Sequence, residues 1–224
     1  MEPAARVRVK ICCIMSEDEA LMAVRHGAAA LGLVSRMPSG PGVIEEARIA
    51  EIAARVPPPV ATFLLSSSTQ VEELVEQHQR TRTNTIQLVD SVPRENLRAL
   101  RQALPGVRLV QVIHVAGQAS VDEALAVASE VDALLLDSGN PSLAVKELGG
   151  TGRAHDWEVS RRIRELSPVP VFLAGGLRPE NIVEAVRRVG PFGVDICSGL
   201  RTNGVLDEEK VTRFFRALDT VTAA

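Results

Sequence analysis

The chain is predicted to be one α/β domain closed into a (β/α)8 barrel, and three observations carry that expectation. Short β-rich apolar runs alternate with amphipathic helical stretches from one end to the other, eight of each can be counted, and 224 residues fall in the size range where such barrels form a single domain. Strict alternation argues for a parallel sheet with right-handed crossovers, and eight units in this length argue that the sheet closes. The single domain is expected to span residues 1–224.

The strand candidates are residues 7–14, 30–34, 60–65, 85–88, 108–114, 133–137, 171–173 and 193–196. Helices are punctuated between them. Ser16 with Glu19 makes a capping box and Gly27 ends that helix, Asp156-Trp157 opens another, Pro179 sits at the start of the next and Asp207 opens the last. Pro57-Pro58-Pro59 reads as a rigid entry to the third strand. An open doubly wound sheet is the competing architecture, but it usually carries a glycine-rich turn after its first strand, where this chain has Cys12-Cys13-Ile14-Met15.

The formal charge of −3 comes from 25 basic and 28 acidic residues mixed along the chain, with no basic run to track a nucleic-acid backbone, so no nucleic-acid partner is expected. Residues 1–10 lack a signal-peptide h-region, and no stretch approaches the roughly 18 apolar residues of a membrane span. A cytoplasmic protein with no membrane partner is the expectation. Three cysteines, two of them adjacent, do not suit a disulfide framework, so reduced thiols are the default. With His26, His78, His114 and His155 scattered and no CxxC pair, no metal is expected. Aromatic residues make up 3% of the chain, which removes the commonest interface anchors and leans towards a monomer or weak homodimer.

In a closed barrel the active site lies at the carboxyl ends of the strands. Alternation along the first strand puts Val7, Val9 and Ile11 towards the helices and Arg8, Lys10 and Cys12 into the barrel, with Cys12 at the mouth and Cys13 turned outward to pack under a helix. A buried cysteine is ordinarily a small core residue, so Cys12 alone does not mark chemistry. The sixth strand ends Leu134-Leu135-Leu136-Asp137, and a carboxylate closing so apolar a strand either caps the following turn or is used. The sixth loop, through Gly149-Gly150-Thr151-Gly152, reads either as a long connection or as a lid. Asp195 shares parity with Cys197 on the eighth strand, beside the first, so an ion pair with Lys10 inside the barrel is expected; Lys10 could also help keep a thiolate at Cys12.

Two glycine-containing turns, Ala174-Gly175-Gly176 and Cys197-Ser198-Gly199, follow the seventh and eighth strands. Barrels frequently hold a phosphate at these positions, because glycines let backbone N–H groups approach its oxygens.

Taken together these residues resemble the phosphoribosylanthranilate isomerase family of tryptophan biosynthesis over nearly the whole chain. The resemblance rests on Val9-Lys10-Ile11-Cys12, Gln87-Leu88, Leu135-Leu136-Asp137, Gly149-Gly150-Thr151-Gly152 with Asp156-Trp157, Gly175-Gly176-Leu177 with Pro179-Glu180-Asn181, and Val194-Asp195 with Ser198-Gly199. It implies a TIM barrel that performs an Amadori rearrangement, turning an aminoaldose phosphate into an aminoketose phosphate. By resemblance Asp137 is the general acid at the ribose ring oxygen, and Cys12 is the general base at the sugar C2. No cofactor is implied, since the iminium nitrogen is the electron sink. The partner is a small phosphorylated sugar, bound by Gly175, Gly176, Ser198 and Gly199, with Lys10, Gln87, Gly150 and Gly152 as further substrate-binding candidates.

Four departures accompany the match. Cys13-Ile14-Met15 stands where the family usually has Gly then Ile-Thr, Val89-Asp90 follows Gln87-Leu88 in place of His-Gly, and Arg201 stands where an acidic residue usually follows the last Ser-Gly-Val. After the second strand the family carries an arginine for the anthranilate carboxylate, whereas Pro38-Ser39-Gly40-Pro41-Gly42 has none. Arg36 is the first candidate to replace it, then Arg201 and Arg153. The nearest alternative is a paralogue that rearranges another amino-sugar phosphate; a non-catalytic barrel that binds a phosphorylated metabolite is the third reading.

Overall fold

The computed structural model describes residues 6–139 and 155–222. Eight parallel strands close into a barrel in sequence order: β1 (Arg8–Ile11), β2 (Ala30–Val34), β3 (Ala61–Ser66), β4 (Thr85–Leu88), β5 (Arg108–His114), β6 (Ala133–Asp137), β7 (Val171–Leu173) and β8 (Gly193–Ile196). Closure is made by β1 on β8, where Lys10 is level with Asp195 and Ile11 with Ile196. Around the sheet, among the described residues, run α1 (Glu17–Arg25), α2 (Glu46–Arg55), α3 (Val71–Thr81), α4 (Arg94–Ala103), α5 (Ala119–Ala128), α6 (Trp157–Leu166), α7 (Ile182–Val189) and α8 (Glu208–Thr222). The barrel is therefore the expected one, and among the described residues no helix is long and apolar enough to cross a membrane.

Alternation along each strand divides the apolar residues into two layers. Outward positions such as Val9, Ile11, Leu31, Leu33, Leu134 and Leu136 pack against the helices, each worth roughly 1.5–3 kcal/mol when fully buried. Inward positions Ala30, Phe63, Val110, Val112, Leu135 and Phe172 fill the barrel's centre. Phe172 meets Phe63 and Phe192 edge-on, with ring centroids 6.2 Å and 5.5 Å away, and closes the lower end of the barrel.

Local signals account for most boundaries. Ser16 Oγ accepts from Glu19 N at 3.1 Å, and the Glu19 carboxylate in return accepts from Met15 N at 3.0 Å, one residue before the cap. Gly27 follows α1 with φ 100°, and Asp156 and Asp207 cap α6 and α8. Three expectations are corrected. β1 stops at Ile11 rather than at 14, because Cys13 takes φ 61° and breaks the extended run. α7 starts at Ile182 rather than at Pro179, because Asn181 binds Gly176 O and Arg178 N and holds the intervening residues in a turn. A short hairpin not expected from the strand pattern, β9 (Arg201–Thr202) with β10 (Val205–Leu206), precedes α8; its Asn203-Gly204 turn, at φ 51° and 82°, is a strong hairpin signal.

Candidate active site at the carboxyl end of the barrel

Lys10, the inward residue of β1, is fully buried, with Nζ 2.9 Å from Asp195 Oδ1 and 5.3 Å from the Phe63 ring centroid. Burial alone would lower its pKa, but the Asp195 carboxylate and the Cys12 sulfur raise it above the ordinary lysine value, so it stays an ammonium. Cys12 continues the inward series one residue past the strand, tied by its N–H to Ile196 O at 2.8 Å. Gly32 of β2 makes room for both: a Cβ there would lie 2.8 Å from Cys12 Sγ and 2.9 Å from Lys10 Nζ.

Asp137 is the last inward residue of β6, buried, with Oδ1 accepting from Ser138 N at 2.7 Å. Strands β7 and β8 separate β6 from β1, so Cys12 and Asp137 line one cavity from different sides. Gln87 of β4 lines it too; its Oε1 is buried without a hydrogen-bond partner among the described residues.

One end of the cavity is backbone. Gly175 and Gly176 follow β7 with φ 82° and 64°, values that favour glycine, and Ser198 opens a single 3-10 turn after β8. Gly199 behind it abuts the Gly176-Leu177 turn so closely that a Cβ would lie 2.1 Å from Leu177 O. The two turns interlock. The loop after β2, through Ser39, Gly40 and Pro41, lines another part of the cavity.

A family-wide sequence profile described as N-(5'phosphoribosyl)anthranilate (PRA) isomerase matches residues 9–217. The chain belongs to this isomerase family. N-(5'-Phosphoribosyl)anthranilate isomerase 2 of Methanosarcina mazei is 36% identical over 93% of this chain and 92% of its own, and the Haloarcula marismortui isomerase is 36% identical over 93% and 94%. Among solved structures, the Thermotoga maritima phosphoribosyl anthranilate isomerase superposes with a TM-score of 0.82 at 27% identity, covering 96% of this chain and 99% of that one. Another, in complex with reduced 1-(o-carboxyphenylamino)-1-deoxyribulose 5-phosphate, gives 0.80 at 26% identity, with 96% and 99% covered.

Within this isomerase fold, the candidate residues fall into groups. Cys12, Asp137, Gln87, Gly175, Gly176 and Ser198 share the cavity, whereas Lys10 lies beneath it and Gly199 behind it. Arg36 is exposed and lines an adjoining cleft, which shares only Met37 with the cavity. Gly150, Gly152 and Arg153 lie outside the described residues. Cys13 does not pack under a helix: its left-handed backbone turns it into the cavity wall, with Sγ 2.8 Å from Cys197 Sγ. Strand parity misplaces it because the strand has already ended.

Arg201 is committed elsewhere than to a substrate carboxylate. Its guanidinium meets Glu19 at 2.9 Å and donates to the main-chain carbonyls of Cys12 and Cys13. Burial works against the Glu19 carboxylate, yet Arg201 and the N–H groups of Leu206 and Met15 hold its pKa below the usual value. This clamp on the Cys12 turn escapes a reading of single positions, because it rests on main-chain carbonyls.

Proposed function

We propose that the chain is an N-(5'-phosphoribosyl)anthranilate isomerase that works by acid–base catalysis between Asp137 and Cys12. The observation that carries this reading is the placement of a thiol and a carboxyl on different sides of one cavity, with two glycine turns at the same end.

The reaction follows from what these groups can do. Asp137 gives a proton to the ribose ring oxygen as the C1–O bond breaks, and the nitrogen lone pair forms a C1=N iminium. Cys12 removes the proton from C2, and the C–H electrons become a C1=C2 bond while the iminium nitrogen regains its lone pair. The resulting enol ketonises to the aminoketose. The electron sink is the substrate's own nitrogen, so the chemistry asks for no cofactor.

Backbone N–H groups around Gly175, Gly176 and Ser198 supply the phosphate grip, at the strand ends where barrels commonly bind one. The complex of the related isomerase with a ribulose 5-phosphate derivative supports a phosphorylated substrate. Gln87 Oε1 offers an acceptor to a sugar hydroxyl or the bridging amine; left unpaired, such a buried oxygen costs roughly 1–3 kcal/mol. For the anthranilate carboxylate, Arg36 is the remaining candidate among the described residues, since Arg201 is held by Glu19.

Complementation of a tryptophan auxotroph lacking this isomerase tests the assignment. Growth with the wild type, and none with soluble Asp137→Asn, supports it; failure of soluble wild type points to a different amino-sugar phosphate.

A further inference from the structure

The barrel mouth holds more sulfur than the isomerisation uses. Cys13 and Cys197 come from opposite ends of the chain, both line the cavity, and their sulfurs are 2.8 Å apart. A disulfide needs about 2.05 Å, so the two sulfurs stand less than about 1 Å from bonding distance. Cys13 is held facing its partner. Its carbonyl is gripped by Arg201, its thiol lies 3.6 Å from Pro41 O, and a Cβ on Gly42 would come within 2.4 Å of its own Cβ. Adjacent Cys12 and Cys13 are the poorer pair, because bridging neighbours forces the intervening peptide out of its usual geometry.

We propose that Cys13 and Cys197 are a redox dithiol, closed to a disulfide by hydrogen peroxide that enters the cavity. The Cys13 and Arg201 hydrogen bonds lower the Cys197 pKa against burial, while its two thiol neighbours push the Cys13 pKa up, so Cys197 is the more readily ionised of the pair and supplies the thiolate. That thiolate attacks one peroxide oxygen; the O–O bond breaks, giving a sulfenic acid at Cys197 and hydroxide. The hydroxide takes the Cys13 proton and becomes water. Cys13 thiolate then attacks the sulfenic sulfur and expels a second hydroxide, leaving the two sulfurs oxidised by two electrons and the peroxide reduced.

The bond ties the Cys12 turn to the residue preceding Ser198, so turnover falls on oxidation and returns on reduction. This couples the site to the oxidant level around it, which lies beyond the isomerase reading.

Peptide mapping after treatment with equimolar hydrogen peroxide is the test. Tryptic peptides 11–25 and 189–201 should be joined with loss of two hydrogens. Cys12→Ala should still join them, whereas Cys13→Ser and Cys197→Ser should not. This readout needs no turnover, so it stands or falls apart from the assigned reaction. The turnover that dithiothreitol restores in oxidised wild type should be missing in Cys197→Ser, each protein being compared with its own untreated sample. Thiols that go singly to sulfinic acid without a joined peptide would overturn the proposal, as would a link that survives in Cys13→Ser.

Discussion

Arg201 bridges Glu19 and the backbone of Cys13: its guanidinium sits 2.9 Å from the Glu19 carboxylate while it donates to the Cys13 carbonyl, so one ion pair fixes the turn that presents Cys12. Both side chains are buried, and removing one partner of such a pair typically costs roughly 3–5 kcal/mol. Arg201→Ala should lose about that much in urea unfolding. Where the protein remains folded, kcat should fall about tenfold to a hundredfold with a smaller change in KM, since a shifted base loses alignment more than binding. Unchanged kcat in a folded variant would reduce the clamp to a structural pair.

The same pair sets an acid limit on stability. The Glu19 pKa is lowered in the folded state, so its contribution is present above the unfolded value of roughly 4.3 and is lost as pH falls through the folded one. The thermal midpoint of wild type should therefore drop below about pH 4.3 more steeply than that of Glu19→Gln, and the gap between them should close in acid. Parallel midpoint curves would contradict this.

Gly32 is required by the two groups above it. Gly32→Ala puts a Cβ 2.8 Å from Cys12 Sγ and 2.9 Å from Lys10 Nζ, and overpacking of this kind costs about 1–3 kcal/mol. Turnover should fall along with stability, because the sulfur that must move is the proposed base.

Arg36 lies in the cleft beside the cavity, one residue from the shared Met37. If it holds the anthranilate carboxylate, Arg36→Ala should raise KM much more than it lowers kcat, because that contact is made equally to ground and transition states. Unchanged steady-state constants would leave the carboxylate to backbone donors of the loop at Ser39 and Gly40.

The sequence made the barrel legible because each strand is a compact apolar run between punctuated helices; β2, β4, β5, β6, β7 and β8 match their expected bounds residue for residue. Inward and outward parity also placed Lys10 opposite Asp195, since register follows once the strands close in order. Parity stops serving where a strand ends. Cys13, one residue beyond Cys12, takes a left-handed backbone that no alternation rule anticipates, and its approach to Cys197 follows from that single φ. The Arg201 clamp was hidden for another reason. It joins Arg201 to Cys12 and Cys13, 189 and 188 residues away in the chain, through backbone carbonyls, which carry no sequence signature.

Whether Asp137 and Cys12 isomerise N-(5'-phosphoribosyl)anthranilate is decided by following conversion of that compound to the aminoketose phosphate by purified protein. Wild type should convert it, and Cys12→Ala and Asp137→Asn should each be slower by about 10²–10⁴-fold with the fold intact, the usual contribution of one proton-transfer group. No conversion by folded wild type, or undiminished conversion by either variant, would rule out this chemistry at the Cys12/Asp137 pair.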